Sequence, residues 1–310
     1  MKLGNRTMTD FSPEQLKSAI QEFITDYSVE MLPKHAELIP ELATLISPKS
    51  LVYIANPPNS DFNVVVDVAI QLKAAGLDPV PHLLARETDD LDELQASLDR
   101  LTSAGLHRIL LLAGDKDKPK GPYTSTLELL DTGVIQGFDL ETIGVAGHPE
   151  GSPYAPNDVL DQSIQTKNAV NEQIKAQMYV ITQLAFESKG VIDWVERMNA
   201  AGNKLPVHAG MAGPTKISTL INYSRMCGVG ASLKALTKKA GLVKNLLTES
   251  TADEMIVDFA KLRLQNPNHS IKKAHFFAFA GPRGTARWAN AIIRGDFELD
   301  KKLKGFKVNS

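Results

Sequence analysis

Eight short apolar segments alternate with helical stripes along this chain, and the alternation restricts the fold more than any other feature. The segments lie near residues 27–32, 51–55, 79–85, 108–113, 142–147, 178–184, 205–210 and 274–280. One stripe between them is formed by Leu91, Leu94, Leu98 and Leu101 and ends at Gly105, a suitable C-cap. Eight strands that alternate with helices predict an α/β protein with a (β/α)8 TIM barrel, and an open doubly wound sheet is the alternative.

The alternation also defines the expected domain organisation. Ser12-Pro13-Glu14-Gln15 forms a capping box with proline at the first helical position, which predicts a helix from about 12 to 25. We therefore expect residues 1–26 to form an N-terminal extension and capping helix, residues 27–295 a single catalytic barrel, and residues 296–310 a C-terminal tail. We find no internal repeat, low-complexity tract or linker that would indicate a second domain.

Composition excludes several classes of protein. The formal net charge of the 310 residues is −2, so the chain has no basic field to attract nucleic acid. Cys227 is the only cysteine, which fits a reducing compartment. No apolar stretch approaches the ~20 residues of a membrane span, and the N-terminal residues show no apolar h-region of a signal peptide. We therefore expect a cytoplasmic protein without membrane or nucleic-acid partners.

Polar residues collect where the predicted strands end, which is where parallel barrels place their ligand chemistry. They are Glu30, Asn56, His82, Asp115, His148, Glu150, Gln183 and His208. The clearest case is His107–Asp115, in which the apolar run Ile109–Ala113 breaks into Gly114 and Asp115. Asp115 is therefore a candidate site residue, and a simple loop cap is the alternative.

Glu30 lies inside a predicted strand, between Val29 and Met31. A carboxylate there is costly to bury unless it is paired or used, and burial alone would raise its pKa toward that of a general acid. The alternative is a salt bridge with a lysine or arginine of a neighbouring strand.

Five segments resemble strand motifs of the methylenetetrahydrofolate reductase family. Ser28–Pro33 is similar to the family's Ser-Phe-Glu-Phe-Phe-Pro, Pro81–Leu83 to its Pro-His-Leu, and His107–Asp115 to its His-Ile-Val-Ala-Leu-Arg-Gly-Asp. Ala146–Glu150 resembles its Ala-Tyr-Pro-Glu, and Ile181–Phe186 its Ile-Thr-Gln-Phe-Phe-Phe. The five occur in the family's order at comparable spacing, and the similarity extends over nearly the whole chain.

The resemblance implies a barrel enzyme that interconverts 5,10-methylenetetrahydrofolate and 5-methyltetrahydrofolate. By position, Glu30 matches the family's general acid, Asp115 its pterin-holding and cation-stabilising carboxylate, and Gln183 the amide that bonds the pterin edge. For Gln183 the alternative is a satisfied polar residue at a strand end. The resemblance further implies a tetrahydrofolate-type substrate, NADH or NADPH as electron donor, and a homo-oligomer.

The resemblance also implies FAD. The matching flavin contacts are Asn56, His82, Leu112, Ala113, Gly114, Tyr123, Ala146, His148 and Lys167. Several flavin-facing positions depart from the family: Ala113 replaces an arginine, Ala55-Asn56 replaces Thr-Tyr, and His148 and Ser152 replace a tyrosine and a histidine. We therefore expect weaker FAD binding than is usual in the family. A folate-binding methyl-transfer partner and a flavin-independent reductase are the alternatives.

Two further groups of residues can be interpreted either as ligand-binding or as purely structural. Lys116, Lys118 and Lys120 either attract phosphate or the folate glutamate tail, or form a solvated charged loop. Gly281–Gly284 forms either a phosphate-binding turn or an ordinary turn. The seven histidines have no metal-ligand spacing, so we expect no metal.

Overall fold

Eight parallel strands close into a barrel in the computed structural model, which describes residues 11–57, 60–226, 229 and 249–309. The strands are β1 (Ser28–Met31), β2 (Leu51–Ile54), β3 (Asp78–Leu84), β4 (Arg108–Leu112), β5 (Thr142–Gly147), β6 (Gln177–Thr182), β7 (Val207–Ala212) and β8 (Ile271–Phe277). Each strand pairs with its neighbours in chain order, and β1 pairs with both β2 and β8. The predicted (β/α)8 barrel is confirmed, and the open sheet is wrong because the two edge strands join.

Helices alternate with the strands. They are α1 (Pro13–Thr25), α2 (Ile39–Leu45), α3 (Phe62–Ala74), α4 (Leu91–Ser103), α5 (Thr126–Asp131), α6 (Asn157–Asn171), α7 (Ser188–Ala200), α8 (Ile217–Met226), α9 (Asp253–Gln265) and α10 (Pro282–Arg294). Helix α1 starts at the predicted capping box and contacts α9 and α10. No helix among the described residues is long and apolar enough to span a membrane. Residues 1–10 of the predicted extension and Cys227 lie outside the described residues.

The segment predicted as a C-terminal tail contains an antiparallel hairpin of Phe297–Leu299 and Phe306–Val308. Phe297 and Phe306 are buried in the main hydrophobic core. The ring of Phe306 stacks on Trp288 of α10 with 6.1 Å between centroids. The hairpin therefore packs against the barrel's last helix.

Side chains alternate between two cores because successive residues of a strand point to opposite faces. Outward residues pack against the helices, whereas Leu51, Tyr53, Val80, Leu110, Tyr179 and Ile181 form a separate cluster inside the barrel. Gly144 leaves room for this cluster, since a Cβ there would lie 2.8 Å from Leu110 and 2.9 Å from Tyr179.

Candidate functional site

Glu30 shares the interior of the barrel with two histidines. Its neighbours Val29 and Met31 are buried in the outer core, so alternation turns Glu30 inward. Its Oε2 lies 3.8 Å from Nε2 of His82 on β3 and 3.8 Å from Nε2 of His275 on β8. Among the described residues no lysine or arginine pairs with Glu30, so the predicted salt-bridge alternative is wrong; imidazoles take that place.

The two imidazoles reverse the expected electrostatics of Glu30. Burial by itself raises the pKa of Glu30, but the polar contact with His275 and the charges of His82 and His275 outweigh burial and lower the pKa overall. The expectation of a raised pKa is therefore wrong. At 3.8 Å both contacts are too long for hydrogen bonds, so the effect is mainly electrostatic.

His82 and His275 present unsatisfied nitrogens to the same space. Burial, opposed by Glu30 and reinforced by His275, lowers the pKa of His82 to about 4, so His82 is neutral at neutral pH. The Nε2 atoms of both histidines are buried without a hydrogen-bond partner among the described residues. Our sequence reasoning missed His275, although it lies between Ala274 and Phe276 as Glu30 lies between Val29 and Met31.

Asp115 follows β4 at the barrel mouth, after Gly114 turns the chain with φ of 93°. The residue is exposed, yet partial burial of its carboxyl raises its pKa against the opposing charge of Arg86. The carboxyl accepts no hydrogen bond from the residues that the structure describes, which argues against the loop-cap alternative. Arg86 instead secures the loop: it donates to the carbonyls of Thr124 (2.8 Å) and Lys116 (2.7 Å).

Gln183 follows β6, and both its amide oxygen and its amide nitrogen bond to the loop after β5. Its Oε1 accepts from the Glu150 backbone at 3.1 Å, and its Nε2 donates to the Gly151 carbonyl at 3.1 Å. In this form Gln183 is the satisfied polar residue that was the alternative. Its predicted contact with a pterin requires the amide to exchange these partners.

The predicted flavin contacts include a buried, unpaired cation. Lys167 on α6 is 5% exposed, and burial lowers its pKa to about 8. Within the described ranges its ammonium has no anionic partner. Burial, followed by the charge of Lys167, lowers the pKa of the neighbouring His148 to about 4. A buried ammonium without a counter-charge suits a phosphate group, because an unpaired charge is costly to bury.

The remaining predicted flavin contacts surround the ends of β2 to β5. Asn56 is 8% exposed and its Oδ1 is unpartnered among the described residues. Leu112 ends β4, and Ala113 and Gly114 follow it directly. Ala146 lies near the end of β5, and Tyr123 packs partly buried against the main core. Unpaired polar atoms and one buried cation at these strand ends fit a cofactor with a polar ring and phosphates.

The other lysine and glycine motifs have plain structural roles. Lys116 pairs with Glu87 at 2.7 Å and Lys120 with Asp89 at 2.9 Å. Both lysines also line a cavity of about 450 Å³ beside Asn56, whose lining includes the carboxylates of Glu87, Asp89 and Glu93. Gly281 caps α10, and Arg283 pairs with Glu41 at 3.2 Å. In the described ranges no three His, Cys, Asp or Glu side chains gather around a point where a metal ion could bind.

Comparison with known proteins agrees with this arrangement. The family model described as methylenetetrahydrofolate reductase matches residues 43–286, a range that begins after Glu30. "Methylenetetrahydrofolate reductase 1" of Schizosaccharomyces pombe is 29% identical over 143 residues, which is 44% of this chain and 23% of that protein. "Methylenetetrahydrofolate reductase 2" of Saccharomyces cerevisiae is 25% identical over 166 residues, 51% of this chain and 27% of that protein. The chain thus matches about a quarter of the length of these relatives. The matched range covers most of the barrel, and the chain belongs to the methylenetetrahydrofolate reductase family.

Proposed function

We propose that the protein interconverts 5,10-methylenetetrahydrofolate and 5-methyltetrahydrofolate. Family membership supports an oxidoreductase of one-carbon metabolism. The observation that carries the proposal is the Glu30 carboxyl, held inside the barrel end between two imidazoles whose facing nitrogens have no partner. A carboxyl beside two imidazoles and with only 21% side-chain exposure is suited to give a proton to a bound ligand.

Each of the three predicted site residues has a separate chemical task in this proposal. Glu30 donates a proton to the bridging nitrogen of methylenetetrahydrofolate, which opens the five-membered ring to a cationic iminium. The carboxylate of Asp115 stabilises that cation in a site from which bound substrate excludes water. Gln183 releases its loop contacts and pairs with the donors and acceptors of the pterin edge.

Glu30 must be protonated to act as an acid, and substrate binding provides the reason. The neighbouring imidazoles lower the pKa of Glu30, although burial acts in the opposite direction. A folate ring placed over the barrel end removes more water from the carboxyl, and desolvation favours its neutral form. Protonation of Glu30 is therefore coupled to substrate binding.

FAD is the cofactor that we propose for the hydride step, with NADH or NADPH as its electron donor. Lys167 would hold a phosphate, while Asn56, His82 and the segment from Leu112 to Gly114 that leaves β4 would border the ring. Bound flavin would supply hydride to the iminium carbon. Since Ala113 lacks the family's guanidinium, and one charge-assisted contact contributes ~1.5–3 kcal/mol, we expect FAD affinity roughly ten- to a hundredfold below that of a site with arginine.

We also propose a cytoplasmic homo-oligomer. The single cysteine supports a reducing compartment, and the oligomer follows from the family resemblance alone. Size-exclusion chromatography with light scattering measures the assembly directly, and a monomer at micromolar concentration would contradict this part of the proposal.

The test of the mechanism is Glu30→Gln. We expect methylenetetrahydrofolate turnover to fall by ~10²–10⁴-fold while FAD affinity stays unchanged, because only the acid is lost. The matched control is Glu37→Gln, an exposed glutamate that follows the same strand, and it should retain full turnover. Full activity in Glu30→Gln would overturn the assigned mechanism.

The replacement of the family's arginine by Ala113 favours a second candidate, a flavin-independent reductase. Titration of the purified protein with FAD separates the two. A colourless protein that takes up no FAD but reduces methylenetetrahydrofolate with a nicotinamide nucleotide supports direct hydride transfer. Binding of methyltetrahydrofolate without electron transfer to a redox dye would indicate the methyl-transfer partner instead.

A further inference from the structure

The cavity of about 450 Å³ beside Asn56 lies at the N-terminal ends of α3 and α4, on the helical side of the barrel wall. Its lining includes Leu83 and Leu94, which pack in the outer core between strands and helices. The described lining includes none of the three residues assigned to the folate reaction. The cavity is therefore separate from the barrel end, and its volume is within the range of small-molecule sites.

Acidic side chains outnumber basic ones around this cavity. Its described lining contains five carboxylates and two lysines: Asp61, Glu87, Asp89, Asp90, Glu93, Lys116 and Lys120. Each lysine is already paired with one of these acids, at 2.7 Å and 2.9 Å. Three carboxylates therefore remain without a cation from the described lining. The N-terminus of each helix offsets roughly half a charge, so the cavity stays negative and attracts cations.

Two of the three remaining carboxylates cap the helices and have one oxygen to spare. Oδ1 of Asp61 accepts from the Asn63 backbone at 2.8 Å, which caps α3. Oδ1 of Asp90 accepts from the Asp92 backbone at 2.7 Å, which caps α4. The Oδ2 atoms of both residues accept no hydrogen bond from the described part of the chain. The start of each helix thus offers one charged acceptor to a ligand.

Asn56 is an independent indication that a ligand binds in this cavity. It lines the cavity and is only 8% exposed, yet its amide makes no hydrogen bond with any residue that the structure describes. A buried amide oxygen without a donor is costly, and a bound donor would remove that cost. Phe62 and Leu84 complete the lining with apolar surface. The cavity therefore combines acceptors with a place for a short hydrocarbon chain.

The walls of the cavity are fixed to one another. Nη1 of Arg100 on α4 donates to Oδ1 of Asn63 on α3 at 2.8 Å. The Lys120 backbone donates to the Arg86 carbonyl at 2.8 Å, which joins the loop after β4 to the end of β3. A metal ion would need side chains that converge on one point, and the described residues provide no such group. An organic cation, whose charges can be spread along a chain, fits the separated acceptors better.

We propose that this cavity binds an aliphatic diamine or polyamine. Its ammonium groups bind the free oxygens of Asp61 and Asp90, one of them also donates to the Asn56 amide, and its carbon chain lies on Phe62 and Leu84. The site is independent of the proposed reductase activity, since it shares only Asn56 with the predicted flavin contacts. Binding can be measured whether or not the protein reduces folate.

The first test compares three four-carbon probes by isothermal titration calorimetry of the full chain at low ionic strength. We expect 1,4-diaminobutane to bind at one site at least ~tenfold more tightly than 1,4-butanediol, because only the diamine forms charge-assisted contacts. Succinate should not bind, and added salt should weaken the diamine. Equal affinities for the diamine and the diol, or a preference for succinate, would overturn the inference.

The second test locates the site with variants. Asp61→Asn/Asp90→Asn keeps both helix caps, since asparagine caps as well as aspartate, but removes two charges. We expect its affinity for 1,4-diaminobutane to fall ~10–100-fold without loss of thermal stability. Asp99→Asn, at an exposed position of α4 that does not line the cavity, is the matched control and should bind within twofold of wild type. Unchanged affinity in the double variant would overturn the inference.

Asn56→Leu tests the amide separately from the charges. We expect it to weaken 1,4-diaminobutane by about tenfold or more, because the ammonium loses an acceptor. The variant should fold normally, since the amide that it removes has no partner among the described residues. Wild-type affinity in folded Asn56→Leu would contradict the assigned contact. If this variant does not fold, the two helix-cap substitutions decide the question alone.

Discussion

The hydroxyl groups of Tyr53 and Tyr179 lie 2.6 Å apart inside the barrel and join β2 to β6, on opposite sides of the ring of strands. Both side chains are at least 95% buried, so neither hydroxyl has water as a substitute partner. Tyr53→Phe or Tyr179→Phe should destabilise the protein by ~1–3 kcal/mol, because each leaves one buried hydroxyl unsatisfied. The double variant removes both hydroxyls, so its loss of unfolding free energy should be smaller than the sum of the losses in the two single variants. Urea unfolding measures all three, and additive losses would contradict the pairing.

The same pair predicts a loss of stability at alkaline pH. Burial raises the pKa of Tyr179 to about 12, and the pKa of Tyr53 rises as well. In the unfolded chain tyrosine ionises near pH ~10, so the unfolded state loses protons first. The stabilisation is complete below pH ~10 and is lost as the pH rises from there through about 12. The difference in unfolding free energy between the wild type and the double variant Tyr53→Phe/Tyr179→Phe should shrink over that pH window. Between pH 7 and 9 the difference should stay constant.

Replacement of Lys167 by methionine should separate cofactor binding from stability. If the ammonium holds a phosphate, Lys167→Met weakens FAD binding roughly ten- to a hundredfold. The ligand-free variant should be as stable as wild type or more so, because a buried unpaired charge is removed. The stability gain should be largest below pH 8, since the pKa of Lys167 is lowered to about 8. It should shrink toward pH ~10.4, where lysine is neutral in the unfolded state too.

Lys204→Met is the matched control for that experiment, because Lys204 is an exposed surface lysine paired with Glu172. It should change neither FAD affinity nor the pH dependence of unfolding. Equal FAD affinity in wild type and Lys167→Met, measured by fluorescence titration, would remove Lys167 from the cofactor site.

Two glycines should respond to alanine in opposite directions. A Cβ at Gly210 on β7 would lie 2.3 Å from the Thr182 carbonyl oxygen, and backbone cannot move aside cheaply. Gly210→Ala should therefore destabilise by ~1–3 kcal/mol or more. Gly190 lies in α7 with nothing within 4 Å of its Cβ position, so Gly190→Ala should stabilise by ~0.5–1 kcal/mol. Thermal unfolding of both variants checks the contrast, and an equal loss in both would contradict the packing described.

The strands and their inward faces could be predicted from the sequence because both depend on the pattern of apolar and polar residues over a few neighbouring positions. Glu30 between two apolar neighbours and Asp115 after a buried run are local signals of this kind. The partners of Glu30 could not be predicted in the same way. His275 reaches Glu30 only because β1 and β8 join, and nothing near residue 30 records that closure. The predicted direction of the Glu30 pKa shift was wrong for the same reason. The sequence around residue 30 indicates that Glu30 is buried, but it does not indicate that two imidazoles from distant strands lie beside the carboxyl.

The hydrogen bonds and ion pairs of side chains at the barrel mouth could not be predicted from the sequence either. Gln183 has the position of a ligand contact, but only the three-dimensional path of the loop after β5 shows its amide bonded to Glu150 and Gly151. The role of Arg86 could not be predicted from the sequence, because its guanidinium binds two backbone carbonyls of another loop. The charge balance of Lys116 and Lys120 likewise depends on acids about 30 residues earlier in the chain.

The pairing of β1 with β8 also sets when the site can work during synthesis. Ser28 and His275 are 247 residues apart, so the ribosome makes Glu30 long before the imidazole that faces it. A nascent chain with seven strands already contains Glu30, Asp115 and Gln183, yet it lacks the wall on which the first strand closes. Contacts this distant in sequence form late in folding. The surroundings of Glu30 at the barrel end are therefore complete only after the last strand docks on the first.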